Sequence, residues 1–163
     1  RPAIEAFYER NAPAASATGK LGAFRVTLVA TESAEAFLDV WDRRPTAREP
    51  EVWTLQSVAV EQDFWLFFLF EGCTKDAVGS CAVGGDFEIL RPDDSVLGSV
   101  TNFAIWLGPS PPDGHLQPSQ NNLSLRLSED EKPGAYRVQG SICDASRERC
   151  VEIALPLRVE AGG

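Results

Sequence analysis

Residues 64–70 constrain this chain more than any other stretch. Phe64, Trp65, Leu66, Phe67, Phe68, Leu69 and Phe70 are seven apolar side chains in unbroken succession. A strand with one wet face alternates apolar and polar residues, and this run does not. It is too short and too aromatic for an ordinary helix and far too short to cross a bilayer. The reading is a β-strand buried on both faces. Each large side chain left in water would forfeit about 1.5–3 kcal/mol, so the strand needs a covering layer above and another below.

The chain around it supplies candidates. Phe24, Val26 and Leu28 alternate with Arg25 and Thr27, which predicts a strand over 22–29. Ala34, Phe37, Leu38 and Trp41 recur at helical spacing, with Glu32, Glu35 and Asp39 off the stripe. That pattern predicts a short helix, with Thr31 as its cap and a strand edge as the rival reading. Residues 51–60 are rich in β-formers and lead through Glu61-Gln62-Asp63 into the 64–70 run. The expectation is an antiparallel hairpin in which Ala59 faces Trp65 and Leu55 faces Leu69. One face would then carry Trp53, Leu55, Trp65, Phe67 and Leu69. The other would carry Val52, Val58, Val60, Phe64, Leu66, Phe68 and Phe70. A second sheet covers one face, and the Phe37 stripe is the nearest lid for the other. If that lid fails, a partner must supply it.

Further along, residues 71–85 read as a loop bracketed by Cys73 and Cys81, and residues 86–90 as a strand with Phe87 and Ile89 on one face. Arg91-Pro92-Asp93-Asp94-Ser95 is a tight turn, because Pro presets φ and Asp tolerates the left-handed region. Strand pieces follow at 96–97 and 102–107. Residues 108–119, with Pro109, Pro111, Pro112, Pro118 and the sole histidine, His115, read as a long surface loop. Leu123, Leu125 and Leu127 alternate with polar residues. So do Tyr136, Val138 and Ile142, and then Val151, Ile153, Leu155, Leu157 and Val159. Pro156 lacks an N–H donor, which puts the last strand at a sheet edge there. Seven to eight strands, one short helix and no βαβ rhythm make an all-β, antiparallel sandwich. Residues 1–20, where Ile4, Phe7 and Tyr8 suggest a short helix ahead of an Ala/Pro/Ser/Gly stretch, read as an arm or linker. Residues 21–163 read as a single domain.

Four cysteines allow three disulfide connectivities. Cysteines that flank a hairpin face each other across it, so Cys143 pairs with Cys150. The same geometry supports Cys73 with Cys81. A four-thiolate zinc site would want closer spacing within each pair. Disulfides imply an oxidising compartment, periplasmic or secreted. There is no Met, even at position 1, so the expectation is a chain that begins after a cleavage or cloning boundary. Twelve Arg against three Lys, with abundant Ala, suggests a GC-rich bacterial genome.

The run Lys132-Pro133-Gly134-Ala135-Tyr136-Arg137-Val138 resembles the tyrosine corner of immunoglobulin-like domains, in which a Tyr at the start of the penultimate strand bonds back to the corner backbone. The resemblance makes Tyr136 that tyrosine. Lys132 replaces the frequent Asp, and Val138 occupies the position of the second core cysteine of antibody domains. The likeness is therefore to immunoglobulin-like or fibronectin-like sandwiches generally. A longer pattern covers roughly residues 50 to 160: Phe70-Glu71-Gly72-Cys73, Gly79-Ser80-Cys81, Asp86-Phe87-Glu88-Ile89-Leu90-Arg91-Pro92-Asp93, Leu116-Gln117 and Pro133-Gly134-Ala135-Tyr136-Arg137-Val138. It is similar to a group of uncharacterised exported proteins of Gram-negative bacteria. Asp94 replaces the group's usual turn Gly. The resemblance implies an exported sandwich and assigns no catalytic residue.

The chemical inventory is sparse. A net charge of −9 opposes binding to nucleic acid and to anionic lipid, and no segment suits membrane insertion. His115 has Ser110, Asp113 and Ser119 nearby, but the spacing matches no nucleophile elbow. Asp93-Asp94 and Glu129-Asp130-Glu131 offer oxygen ligands to calcium yet lack the dense spacing of a calcium loop. Gly84-Gly85 is not a phosphate loop, and dispersed carboxylates are the one route left to an enzyme. No catalytic residue, metal or cofactor is expected. Trp41, Trp53, Trp65 and Trp106 serve either the core or sugar stacking, with Trp106 the best exposed candidate. The expected function is a non-catalytic, extracytoplasmic module for protein–protein contact. Its partner would be a protein of the cell envelope or exterior, or a second copy of the chain. Trp106, His115, Trp41 and Phe37 are the candidate contact residues. A carbohydrate-binding module and a hydrolase inhibitor acting through the 73–81 or 108–119 loop are the other readings.

Overall fold

The computed structural model describes residues 12–13, 18–42, 53–55, 57–112, 116–144 and 148–162. The expected N-terminal helix with Ile4, Phe7 and Tyr8, residues 43–50 of the loop expected over 41–50, Val52, Asp113 and His115 lie outside them; Trp41 and Asp42 of that loop are helical. The elements are β1 (Ala12–Pro13), β2 (Thr18–Leu21), β3 (Phe24–Thr31), α1 (Ala34–Asp42), β4 (Trp53–Thr54), β5 (Ser57–Ala59), β6 (Asp63–Glu71), β7 (Ser80–Leu90), β8 (Val96–Pro109), β9 (Gln117–Pro118), β10 (Leu123–Arg126), β11 (Gly134–Asp144) and β12 (Arg149–Glu160). They form a β-sandwich that is antiparallel except where β5 lies parallel to β12. The first sheet runs β10-β6-β3-β2, with β9 also on β6; the second runs β5-β12-β11-β7-β8; and β1 pairs with β4.

β6 is central, with β3 on one side and β10 and β9 on the other. Phe64, Leu66, Phe68 and Phe70 point into the main core between the sheets, where Val138, Ile142, Leu155 and Leu157 of the second sheet meet them. Phe67 and Leu69 point the opposite way and are also buried, against Val29, Phe37 and Leu116. The lid is the helix. Phe37 stacks on Phe67 with ring centroids 4.7 Å apart, and Trp41 lies 6.1 Å from Phe37. The helical reading of the stripe thus holds and the strand-edge rival does not. The cap is Ser33, whose Oγ accepts the Ala36 N–H at 3.1 Å. Thr31 cannot serve because it is still in β3, paired with Trp65.

The expected hairpin between 51–60 and 64–70 does not form. β5 pairs in parallel with β12, in the other sheet. Trp65 faces Thr31 and Ser124, not Ala59; Leu69 faces Thr27 and Pro118, not Leu55. Leu55 and Val58 belong to the main core. The short turn between β5 and β6 carries the chain from one sheet to the other, with Glu61 at φ 65° and Gln62 Oε1 accepting the Ala59 N–H at 2.8 Å. Local patterning cannot separate a hairpin from a crossing, because both need the same greasy flanks.

Other boundaries also move. The 71–85 loop is shorter than expected, because β7 already starts at Ser80. The two pieces near 96 and 102–107 are one strand, β8, with register shifts against β7 at Val83/Gly84, Gly85/Phe87 and Ile89/Leu90. Residues 116–119 are not surface loop: Leu116 is buried, β9 pairs with β6, and Ser119 exchanges hydrogen bonds with the backbone of Phe68. Part of the expected 1–20 arm is built into the fold, since β2 is a sheet edge and β1 pairs with β4. Pro156 pairs with Arg137 on one side, and β5 joins β12 only from Arg158 onward, so β12 is an edge at Pro156.

The tyrosine corner is present on the penultimate strand. Tyr136, 2% exposed, donates its hydroxyl to Lys132 O at 2.7 Å. Beneath it Arg91 grips Glu131 through Nε to Oε1 at 2.8 Å and Nη2 to Oε2 at 3.3 Å. The Arg91–Ser95 turn closes as expected, with Asp94 at φ 69° and Asp93 Oδ1 accepting the N–H and hydroxyl of Ser95.

Two outcomes follow. Phe67→Ala opens a cavity under the helix and should cost about 3–5 kcal/mol in urea denaturation. The Arg91 hydrogen bond, helped by its charge and by the Tyr136 hydroxyl, holds the Glu131 carboxyl below its ordinary value of 4.5. A carboxyl depressed on folding adds stability above its unfolded pKa and loses it as pH falls through the folded one. The urea midpoint of the native chain should therefore drop more steeply than that of Glu131→Gln between about pH 5 and pH 3; parallel profiles would refute this.

Candidate functional site

One end of the sandwich gathers both cysteine pairs. Here β6 ends, β7 begins, β8 ends, and β11 turns back into β12. Cys73 and Cys81 are bonded with Cα atoms 6.1 Å apart, and Cys143 and Cys150 with Cα atoms 4.0 Å apart. Cys143 and Cys150 are direct cross-strand partners, as hairpin geometry requires. Two such bonds fit an oxidising, extracytoplasmic compartment.

A buried carboxylate ties the two bridges together. Asp144 is 0% exposed. It accepts the Thr74 N–H on both oxygens at 2.9 Å and the Thr74 hydroxyl at 2.7 Å, with Arg149 Nη1 3.8 Å away. Arg149 Nη2 also donates to Leu21 O at 2.7 Å, so the β2–β3 turn joins the assembly. Gly72, at φ 75°, permits the close passage of the chain over Ala23, where a Cβ would collide with the backbone.

The loop from Gly72 to Gly79 is thereby braced at both ends, and it is also bonded within itself. Asp76 Oδ1 accepts the N–H groups of Val78 and Ser80, each at 2.9 Å, and Asp76 N–H donates to Ser80 O at 2.7 Å. Ser110 N–H donates to Gly79 O at 2.9 Å. The tip of this rigid turn presents Val78, which is 84% exposed. Across the β7–β8 ribbon Leu107 stands opposite Ala82 and is 71% exposed.

The outer face of the second sheet continues from this end. Register places Ala104, Gly84, Cys143 and Cys150 in one row across the strands. The next row holds Asp86, Ser141 and Glu152, and the third Ser99, Glu88, Gln139 and Ala154. Small side chains leave two adjoining hollows, about 260 Å³ beside Ala82, Gly84, Ala104 and Leu107 and about 540 Å³ among the acidic rows. Among the described residues no helix or strand covers this face.

The residues expected to make contact fare differently. Phe37 is 3% exposed and belongs to the lid, so it presents no surface. Trp41 is half-buried behind it. Trp106 is also half-buried, not the open platform expected: its ring lies 5.7 Å from Phe70, and its Nε1–H donates to Pro109 O at 3.0 Å. His115 and Asp113 lie outside the described residues. Ser119 bonds the Phe68 backbone, and Ser110 touches Cys73 Sγ. Of the calcium candidates, Asp93 holds Ser95, Asp94 holds Arg137 and Glu131 holds Arg91.

Sequence reading passed over Val78, Leu107, Asp144 and the acidic rows. The rows had a signal: Asp86 and Glu88 alternate with Phe87 and Ile89, and Glu152 with Val151 and Ile153, so all three carboxylates share the outer face. Asp144 had none, because its partner Thr74 is distant in sequence.

No family model and no curated protein matches the chain. Among solved structures it is similar to an alkylpurine DNA glycosylase AlkC of Pseudomonas fluorescens bound to DNA containing an abasic site analog, at 12% identity and TM-score 0.40 over 66% of this chain and 28% of that one. A Niemann-Pick type C2 protein from the Japanese carpenter ant aligns at 9% identity and TM-score 0.38 over 91% and 98%. A family 123 glycoside hydrolase from Clostridium perfringens aligns at 7% identity and TM-score 0.38 over 84% and 28%. The chain thus spans under a third of the bacterial enzymes it resembles.

Asp144→Ala removes the acceptor for the Thr74 N–H and hydroxyl and leaves a void where the buried carboxylate stood. It should cost about 2–4 kcal/mol in chemical denaturation and raise hydrogen exchange at Thr74. An unchanged midpoint would refute the clamp.

Proposed function

We propose that this chain is a non-catalytic, extracytoplasmic domain that works by holding another protein against its disulfide-braced end. The observation that carries the reading is Val78, 84% exposed at the tip of an immobilised turn. An aliphatic side chain on a floppy loop means little. On a loop fixed by a disulfide, internal bonds and the Asp144 clamp, little entropy is lost when a partner closes over it. Leu107, 71% exposed on the neighbouring ribbon, enlarges the apolar contact. Val78 lies in a hydrogen-bonded turn, so the loop fits a partner's pocket as a knob and does not mimic an extended substrate.

Ser110, Ser119, Asp93, Asp94 and Glu131, among the residues that suggested chemistry, are engaged in structural bonds, which favours contact over catalysis. The half-buried Trp41, Trp65 and Trp106 favour protein contact over sugar stacking. Paired cysteines and the resemblance to exported Gram-negative proteins support a periplasmic or secreted location and a partner from the envelope or exterior.

The test is cross-linking of the immobilised chain in envelope extract, with Val78→Asp and Leu107→Asp in parallel. A protein retained by the native chain should fall about tenfold with Val78→Asp, as for loss of a buried apolar anchor, while the thermal midpoint stays the same. Equal retention by the variants, or no retained protein, would overturn the reading.

A further inference from the structure

The geometry points to Cys143–Cys150 as a thiol–disulfide exchange site, opened by a dithiol that attacks Cys150, with the Asp144 clamp as the structure it controls. The chemistry stands on the two bridges alone; its consequence at Val78 rests on the protein-contact reading.

The bridges differ in access. Of the four cysteines only Cys150 is exposed, and its partner Cys143 is 6% exposed. In the other bridge Cys81 is 5% exposed. Cys73 is half-buried against the main core, with Ser110 Oγ 3.7 Å from its sulfur. Exchange proceeds by attack of a thiolate on one sulfur of the bond, so access decides which bridge reacts and from which side.

A thiolate of the dithiol attacks Cys150 Sγ. A new S–S bond forms as the Cys143–Cys150 bond breaks, and Cys143 leaves as a thiolate. Ser141 Oγ lies 4.0 Å from Cys143 Sγ, where its hydroxyl can donate to that thiolate. The second thiol of the dithiol then attacks its own sulfur in the mixed disulfide and releases Cys150. Two cysteines thus gain two electrons and two protons, and the dithiol ends as a disulfide.

The position of the bond makes it a latch. Below it the β11–β12 ladder continues to Gly134 and Val159, and β7 pairs with β11 as far as Asp144. The sheet therefore survives when the bond opens. Above it lies one further ladder pair, Asp144 with Arg149. Arg149 Nη1 stands 3.8 Å from Asp144 Oδ2 and 3.4 Å from Thr74 Oγ1, and Nη2 donates to Leu21 O. Without its tether the start of β12 frays, as strand ends do, and takes Arg149 with it. A buried carboxylate that loses its cation draws in water and loosens its hold on Thr74. The loop that presents Val78 then loses one of its braces.

The test treats the native chain with dithiothreitol, quenches samples with N-ethylmaleimide and maps the alkylated cysteines by mass. Cys143 and Cys150 should be alkylated about tenfold sooner than Cys73 and Cys81, while the circular dichroism stays native. Opening of Cys73–Cys81 first or equally fast, or thiols that appear only as the dichroism is lost, would overturn the exchange site. Two single variants read the direction of attack with dithiobis(nitrobenzoic acid). The Cys150 thiol of Cys143→Ala should react about tenfold faster than the Cys143 thiol of Cys150→Ala; equal or reversed rates would overturn attack at Cys150. The double variant Cys143→Ala, Cys150→Ala stands for the open latch. Its Thr74 amide should exchange about tenfold faster, with mid-β11 amides still protected; unchanged exchange at Thr74 would overturn control of the clamp. Its retention of the envelope protein should fall about threefold. Unchanged retention would cut the latch from the loop and leave the contact reading standing. No protein retained by the native chain would sink the contact reading, and the order of alkylation would still decide the exchange site.

Discussion

Every layer of this molecule answers to the burial of β6 on both faces. Its inward residues, Phe64, Leu66, Phe68 and Phe70, require an opposing sheet; its outward residues, Phe67 and Leu69, require a second cover. The chain meets the first demand with the alternating strands of its C-terminal half. It meets the second with α1 and with Leu116, which the Pro-rich segment brings back over the sheet. That segment is anchored where it must be, by β9 and by Ser119 on the Phe68 backbone. A loop that reads as surface from its prolines is thus partly structural, because it carries one of the apolar groups that closes the lid.

The two sheets are asymmetric as a consequence. The first has both faces covered. Among the described residues no helix or strand covers the outer face of the second, which runs from apolar near the disulfides to acidic further along. Its outermost strand, β8, is fourteen residues long and carries no charge. Such an edge ordinarily invites pairing with another chain. Here three bulges twist it, Asn102 takes φ 54°, and the Gln120 and Asn121 side chains bond the backbone at Leu107 and Ala104. Irregular geometry does the work that lysines do on other edges.

How much of the site was legible varied with the range of the interaction involved. The cysteine pairings and the Tyr136 corner are local in sequence, and they stand where spacing put them. The helix was legible because one stripe at helical spacing could pack nowhere else; its cap was missed by two residues, because β3 extends through Thr31. Exposure was the poorest reading. Phe37 and Trp106 look like contact residues only until the layers above them are known. Val78, unremarked in a polar loop, is an open apolar side chain because Asp76 and the disulfide fold the turn around it.

By itself the sequence determined the class of fold, the doubly buried strand, the local disulfides and the corner tyrosine. Each of these follows from side-chain periodicity or from groups within about ten residues, which act whatever the rest of the chain does. Only the tertiary structure decided that β5 crosses to pair with β12, that Asp144 reaches Thr74, and which apolar groups stay in water. Those outcomes depend on which distant segments compete for the same surface. A strand with two greasy faces suits several neighbours equally well until the whole core is packed.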